Sequence, residues 1–366
     1  MTATLTDPLA LADAPLTRGR LGVAGQWAIA AVAVAVGLAV TLPFDGFKWG
    51  WALVVAAVTY IAVTYTVARV VEDRRQAADR VATAVMTTAF VIVLVPLASV
   101  TWTVIKNGAA RFDLAFFTDD VKFTTAELAA QREGAKVGGA SHAILGTLIV
   151  TGLATVFAVP FGLFTAIYLV EYGVKSRLAR AITAMVDVMT GIPSIVAGLF
   201  AYALFELFFG PGTRSGLSAA VALTVLMTPV VVRSAEEMLR LVPNELREAS
   251  YALGVPKWKT IVKVVIPTAI AGILTGITLA IARVIGETAP LLITAGVLDA
   301  RNLNPFSGRM TTLPVYAYQY YQIPGTAKQA AYDRVWAAAL TLVLIVGILF
   351  TLARVLATVL KPKGLK

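Results

Sequence analysis

Arg283 and Glu287 lie inside a long apolar stretch that runs from about Val264 to Val297. Charges placed at membrane depth are expensive and tend to line a pathway. Four residues apart, the two would face the same side of a helix, with Gly286 and Thr288 beside them. The planar donors of a guanidinium match carboxylate or phosphate oxygens, so Arg283 in a translocation path would select a small oxyanion. Glu287 would hold it in place or help to release the anion. The competing reading is an internal ion pair that satisfies only itself. Arg preceding Glu is the weaker order for such a pair, and an apolar pair would cost less, which favours a pathway. A second candidate is Asp187, followed by Thr190-Gly-Ile-Pro-Ser194. Proline frees a backbone carbonyl there and glycine permits an irregular turn, although an ordinary proline kink explains the same residues. His142 and Glu206 fall near span ends, where interfacial polar residues are normal, and neither receives a role.

The elements that position these residues follow from composition. The chain has 366 residues, 58% hydrophobic and 14% charged, with a mean hydropathy of +0.80. These values describe an all-α polytopic membrane protein. Cysteine is absent and histidine occurs once, which excludes disulfides, thiol metal sites and a conventional catalytic triad. The net charge of +10 need not mean nucleic acid, because Lys and Arg retained on the cytoplasmic side account for it. No Gly-x-x-x-x-Gly-Lys-Ser/Thr loop is present, so any ATP used would be hydrolysed by another chain.

Hydropathy and charge divide the chain into about eight spans with both termini cytoplasmic. Residues 1–24 form a polar tail, and residues 25–80 an N-terminal hairpin, about Ala24–Leu42 and Trp49–Ala68, with a basic loop after it. Residues 81–141 hold span three and a long outer loop in which five basic and five acidic residues balance. Residues 142–360 hold the remaining five spans. Span five, about Ile182–Phe209, carries the Gly191-Ile-Pro-Ser194 interruption. Span seven would be about 50 Å long if straight, against a hydrocarbon core of about 30 Å, so a break is expected near Gly286 or Pro290. Residues 299–333 are expected to form a second outer loop.

Between spans six and seven lies a polar segment, residues 244–267. Asn244 is expected to cap a helix of about three turns that ends at Leu253, with Gly254 at C′ and Pro256 forbidding continuation. Leu246, Ala249, Ser250 and Leu253 would share a weakly apolar face. By shape alone the segment is a solvated connector. Its spacing changes that reading: Glu248-Ala249-Ser250, then Gly254, then Val264-Val265-Ile266-Pro267 resembles the coupling motif of ABC importer permeases, Glu-Ala-Ala, three residues, Gly, nine residues, Ile-x-Leu-Pro. Asp187-Val-Met-Thr-Gly-Ile-Pro-Ser-Ile-Val-Ala-Gly198, Arg283-Val-Ile-Gly-Glu-Thr-Ala-Pro-Leu291 and Thr312-Leu-Pro-Val315 are similar to the PstA-type permease subunit of bacterial phosphate importers.

Over residues 80–360 the resemblance implies a type I ABC importer permease core in the bacterial inner or plasma membrane. Its implied partners are a PstC-like permease, two copies of a PstB-like ATPase that carries ATP and Mg, and an external PstS-like phosphate-binding protein. This chain would itself bind no cofactor or nucleic acid. The resemblance matches the family's pathway charges to Arg283 and Glu287; Thr288, Asp187 and Ser194 join them as expected pathway residues, and contact to the ATPase is expected through Glu248, Ala249, Ser250, Leu253 and Gly254. Sulfate or molybdate as cargo, an ion-driven carrier or channel, and a mainly sensing role are the alternatives.

Overall fold

The computed structural model describes residues 21–42, 49–72, 74–121, 129, 137–173, 176–325 and 328–360. The tail 1–20, the turn 43–48, most of the loop 122–136, Lys175 and the basic C-terminus after 360 lie outside them. The described residues are helical, without strands. Among the described residues seven helices are long and apolar enough to cross a membrane, or up to eight if one bent pair counts as a span.

The chain divides into two compact units, Met1–Trp102 and Thr103–Lys366. In the first, α1 (Val23–Thr41) and α2 (Trp49–Val71) pack through small residues, with Ala33 and Ala52 buried. Close helix approach of this kind holds spans together where no hydrophobic drive separates protein from lipid. Buried Glu72 follows α2, accepting from the Leu21 N–H at 2.8 Å and from Arg80 Nη2 at 3.1 Å. Arg80 belongs to α3 (Arg74–Gly108), which continues into the second unit.

The second unit contains α4 (Leu114–Thr118), α5 (Ser141–Ile167, continued by a π-helical turn Tyr168–Tyr172), α6 (Arg177–Thr190), α7 (Ser194–Phe209) and α8 (Gly216–Arg240). It continues with α9 (Asn244–Ala252), α10 (Lys257–Thr260), α11 (Ile266–Ile285), α12 (Ala289–Thr294), α13 (Leu313–Gln322) and α14 (Lys328–Leu360). Its central core joins Val150, Ala154 and Ala158 of α5 to Leu223, Met227 and Val231 of α8, with Ala280 and Val284 of α11 and Leu291 of α12.

Span five is not one kinked helix. α6 and α7 meet at a bend of 107° across Gly191-Ile-Pro193, far beyond a proline kink. Span seven breaks as its length requires: α11 stops at Ile285, Gly286 is the C-cap, and α12 begins at Ala289. Pro267 falls at the start of α11, directly after a π-helical turn Ile261–Val265, so the span continues from Lys257 to Ile285 despite a residue without an N–H.

The loop expected at residues 299–333 holds a buried helix. In α13, Leu313, Tyr316 and Tyr320 pack with Phe116, Ala140 and Ala337. The Leu313 N–H donates to Thr147 Oγ1 at 2.7 Å, and burial pushes the Tyr316 phenol up to about 12. His142 is buried, 3% exposed, edge-on to Tyr316, with Nδ1 3.6 Å from Asp120. Burial would raise the Asp120 carboxyl, but the Ser141 hydroxyl, His142 and Arg301 outweigh it and hold the group below the ordinary carboxylate range. Glu206 also has a local task, accepting from the Gly212 N–H at 2.7 Å in the turn after α7.

Candidate functional site

Along α11 the residues Thr275, Leu279 and Arg283 are exposed at four-residue steps, while Ile273, Gly276, Ala280 and Val284 face the core. The spacing makes one open stripe that ends on Arg283. Glu287 and Thr288 come next, half-buried, in the break between α11 and α12. The two charges therefore do not share a helical face. The helix ends between them, the Glu287 N–H donates to the Val284 carbonyl at 3.1 Å, and no ion pair joins Arg283 to Glu287. Among the described residues the Arg283 guanidinium has no carboxylate partner. Its donor fork is free to bind an oxyanion.

The two PstA-like stretches meet in space. A Cβ on Gly198 of α7 would lie 2.6 Å from Pro290 Cα of α12, so only glycine allows α7 to pack there. Pro290 is three residues beyond Glu287. The bend after α6 and the break after α11 are thus parts of one contact. Ser194 opens α7, half-buried and directly after Pro193.

Asp187 is placed differently. It is exposed near the end of α6 and accepts from Arg233 Nη2 of α8. Arg233 Nη1 also donates to Glu236 at 2.8 Å, and Glu236 accepts from Arg240 at 2.7 Å. Asp187, Glu236 and Arg240 line a cavity of about 740 Å³ together with Arg180, Arg247 and Lys257, but Arg283, Glu287 and Ser194 do not.

The segment after α8 is a built structure. Its first helical residue is Asn244, and the N-cap is Pro243, so Asn244 does not cap. Its Oδ1 accepts from Arg247 Nη1 at 3.3 Å instead. The C-terminus follows the motif expected of glycine: the Gly254 N–H reaches the Tyr251 carbonyl at 2.9 Å and the Val255 N–H the Ser250 carbonyl at 3.2 Å, with Gly254 at φ +73°. The face drawn from sequence splits. Ser250 is buried and its hydroxyl meets Thr260 Oγ1 at 2.8 Å, and Leu246 packs inward. Glu248, Ala249 and Leu253 are exposed, Leu253 at 83%, and so is Trp258, five residues further along the chain, at 62%.

Arg247 and Glu171 were silent in the sequence because they lie 76 positions apart. Arg247 donates to Glu171 Oε1 from Nε at 3.0 Å and Nη2 at 2.9 Å, and to the carbonyls of Leu239 and Val242. Lys257 donates to the Glu171 carbonyl and sits 4.8 Å from the Tyr172 ring centroid. Both carboxylate and guanidinium are largely buried, at 5% and 12% exposure. This clamp fixes α9 to the end of α5 and of α8.

The family model described as binding-protein-dependent transport system inner membrane component matches residues 158–364. The chain belongs to this family. The permease is 48% identical over 275 residues to the phosphate transport system permease protein PstA 1 of Mycobacterium tuberculosis (strain CDC 1551 / Oshkosh), covering 75% of this chain and 86% of that protein. It is 46% identical over 288 residues to the phosphate transport system permease protein PstA of Mycobacterium leprae (strain TN), covering 78% and 90%. Against the PstA protein of Xylella fastidiosa (strain Temecula1 / ATCC 700964) the identity is 39% over 254 residues, covering 69% and 83%. The permease is an all-α, multi-pass membrane protein, and the PstA-type resemblance of its motifs extends to most of its length.

Proposed function

We propose that this permease moves inorganic phosphate into the cell as one subunit of an ATP-driven importer. The observation that carries the reading is the Arg283 guanidinium, open and, among the described residues, without a carboxylate partner at the end of the α11 stripe. A tetrahedral oxyanion satisfies that donor fork, and the relatives' printed names make phosphate the cargo to test first. Glu287, Thr288 and Ser194 border the same break and bend. Glu287 limits how tightly the anion is held, which favours its release.

The energy comes from outside this chain. A PstB-like ATPase, present in two copies with ATP and Mg, docks on Glu248, Ala249, Leu253 and Gly254, whose neighbours Leu253 and Trp258 offer exposed apolar surface. Arg247, Ser250 and Lys257 hold that surface to the spans, so a push on α9 moves α5 and α8 with it. A PstC-like permease completes the path and a PstS-like protein delivers phosphate at the opposite side. The basic residues Arg233, Arg240, Arg247, Lys257, Lys259 and Lys263 orient α9 to the cytoplasm, with both termini on that side of a bacterial inner or plasma membrane.

The test is uptake of labelled phosphate into proteoliposomes holding the complete complex, with and without ATP, in competition with sulfate and molybdate. ATP-dependent uptake that only phosphate or arsenate suppresses supports the proposal. Uptake driven by an ion gradient without the ATPase, or suppressed equally by sulfate, overturns it.

A further inference from the structure

The geometry points to Asp187 and Arg233 as positioning residues, a latch through which movement of the coupling segment reaches the α6–α7 bend and, through Gly198 on Pro290, the break after α11. This rests on the ATP-driven reading above.

The path is contiguous. Arg247 binds the carbonyls of Leu239 and Val242, so α9 and the end of α8 move together. On α8, Glu236 holds both Arg240 and Arg233. Arg233 reaches across to Asp187, the polar link between α8 and α6 among the described residues. α6 ends three residues later at the 107° bend, and α7 beyond it presses Gly198 onto Pro290, next to Glu287 and Thr288.

Burial decides what kind of link this is. Asp187 and Arg233 are 61% and 32% exposed, whereas Glu171 and Arg247 in the clamp are 5% and 12% exposed. An ion pair as open as the first adds little to folding and opens easily; the buried clamp is costly to break. Arg233 also has a permanent partner, since Glu236, 6% exposed, stays bound on the same helix when Asp187 lets go. One fixed partner and one conditional partner make the contact reversible without leaving a buried charge unpaired. Asp187 thereby acts on Arg233 and not on the anion, and its place along the 740 Å³ cavity, whose lining omits Arg283, agrees with that.

Asp187→Asn and Asp187→Glu are compared with the parent in the reconstituted complete complex. Assembly, thermal midpoint, ATP hydrolysis and phosphate uptake are measured together. For Asp187→Asn the expected result is an intact complex that still hydrolyses ATP, with phosphate moved per ATP lowered at least fivefold and the KM for phosphate unchanged. Asp187→Glu restores at least half of the ratio. Normal stoichiometry in Asp187→Asn overturns the latch. So does a changed KM at unchanged stoichiometry, which would make Asp187 an anion contact, or loss of assembly, which would make the pair structural. A parent complex that hydrolyses ATP yet moves no phosphate rejects the transport reading itself, before any variant is compared.

Discussion

Gly254 separates two physical explanations of the same motif position. Its φ is +73°, and a Cβ built on it meets no atom within 4 Å. The constraint within this chain is therefore the left-handed backbone and not lack of space. An L-residue forced into that region costs about 1–2 kcal/mol, and Asn tolerates it better than Ala. Taking about 1 kcal/mol for Gly254→Ala, the capped end of α9 becomes about fivefold less populated, and the bonds from Gly254 and Val255 to Tyr251 and Ser250 open correspondingly more often. Hydrogen exchange of the 250–256 region, read beside phosphate moved per ATP, checks this. Exchange should rise, and phosphate moved per ATP should fall, in the order Gly, Asn, Ala, Val. If Asn is as damaging as Val and the losses follow side-chain volume, the glycine is there for close approach by a partner, and the backbone argument is wrong.

Removing the clamp should cost far more. Arg247→Ala leaves the carboxylate of Glu171 buried and unpaired and removes a donor from the Leu239 and Val242 carbonyls, a loss of about 3 kcal/mol, visible as a lower thermal midpoint in detergent. Arg247→Lys should recover part of it, because one donor still reaches Glu171. Gly198→Leu sets a side chain against the Pro290 backbone at 2.6 Å, where nothing flexible can yield. Phosphate uptake should drop at least tenfold, and unchanged uptake would mean that the α7–α12 contact is not part of the moving path.

The spans were legible because lipid demands about 20 apolar residues from each, and the span-seven break followed from length alone. The span-five interruption was visible in Gly191 and Pro193, but its 107° size was not, since the bend depends on how α7 packs against Pro290. α13 escaped notice because its Tyr and Gln residues read as loop, while burial in the structure comes from neighbours distant in sequence. Asn244 has cap chemistry, yet Pro243 already sets the turn and Arg247 takes the Asn244 oxygen. Local spacing marked Glu248, Gly254 and Pro267. The pairs Glu171–Arg247 and Asp187–Arg233 join residues 76 and 46 positions apart, which no spacing rule reaches. Arg283 stood out by its cost at membrane depth, and its lack of a carboxylate partner among the described residues emerged only from the folded chain.

Arg283 is the residue proposed to bind the transported anion. The most direct test is ATP-dependent phosphate uptake by the complete complex carrying Arg283→Ala, with assembly and ATP hydrolysis measured on the same preparation. The expected result is an assembled complex whose uptake falls to background, with Arg283→Lys in between because a point charge replaces the guanidinium fork. Uptake by Arg283→Ala at the parent rate and KM would contradict it.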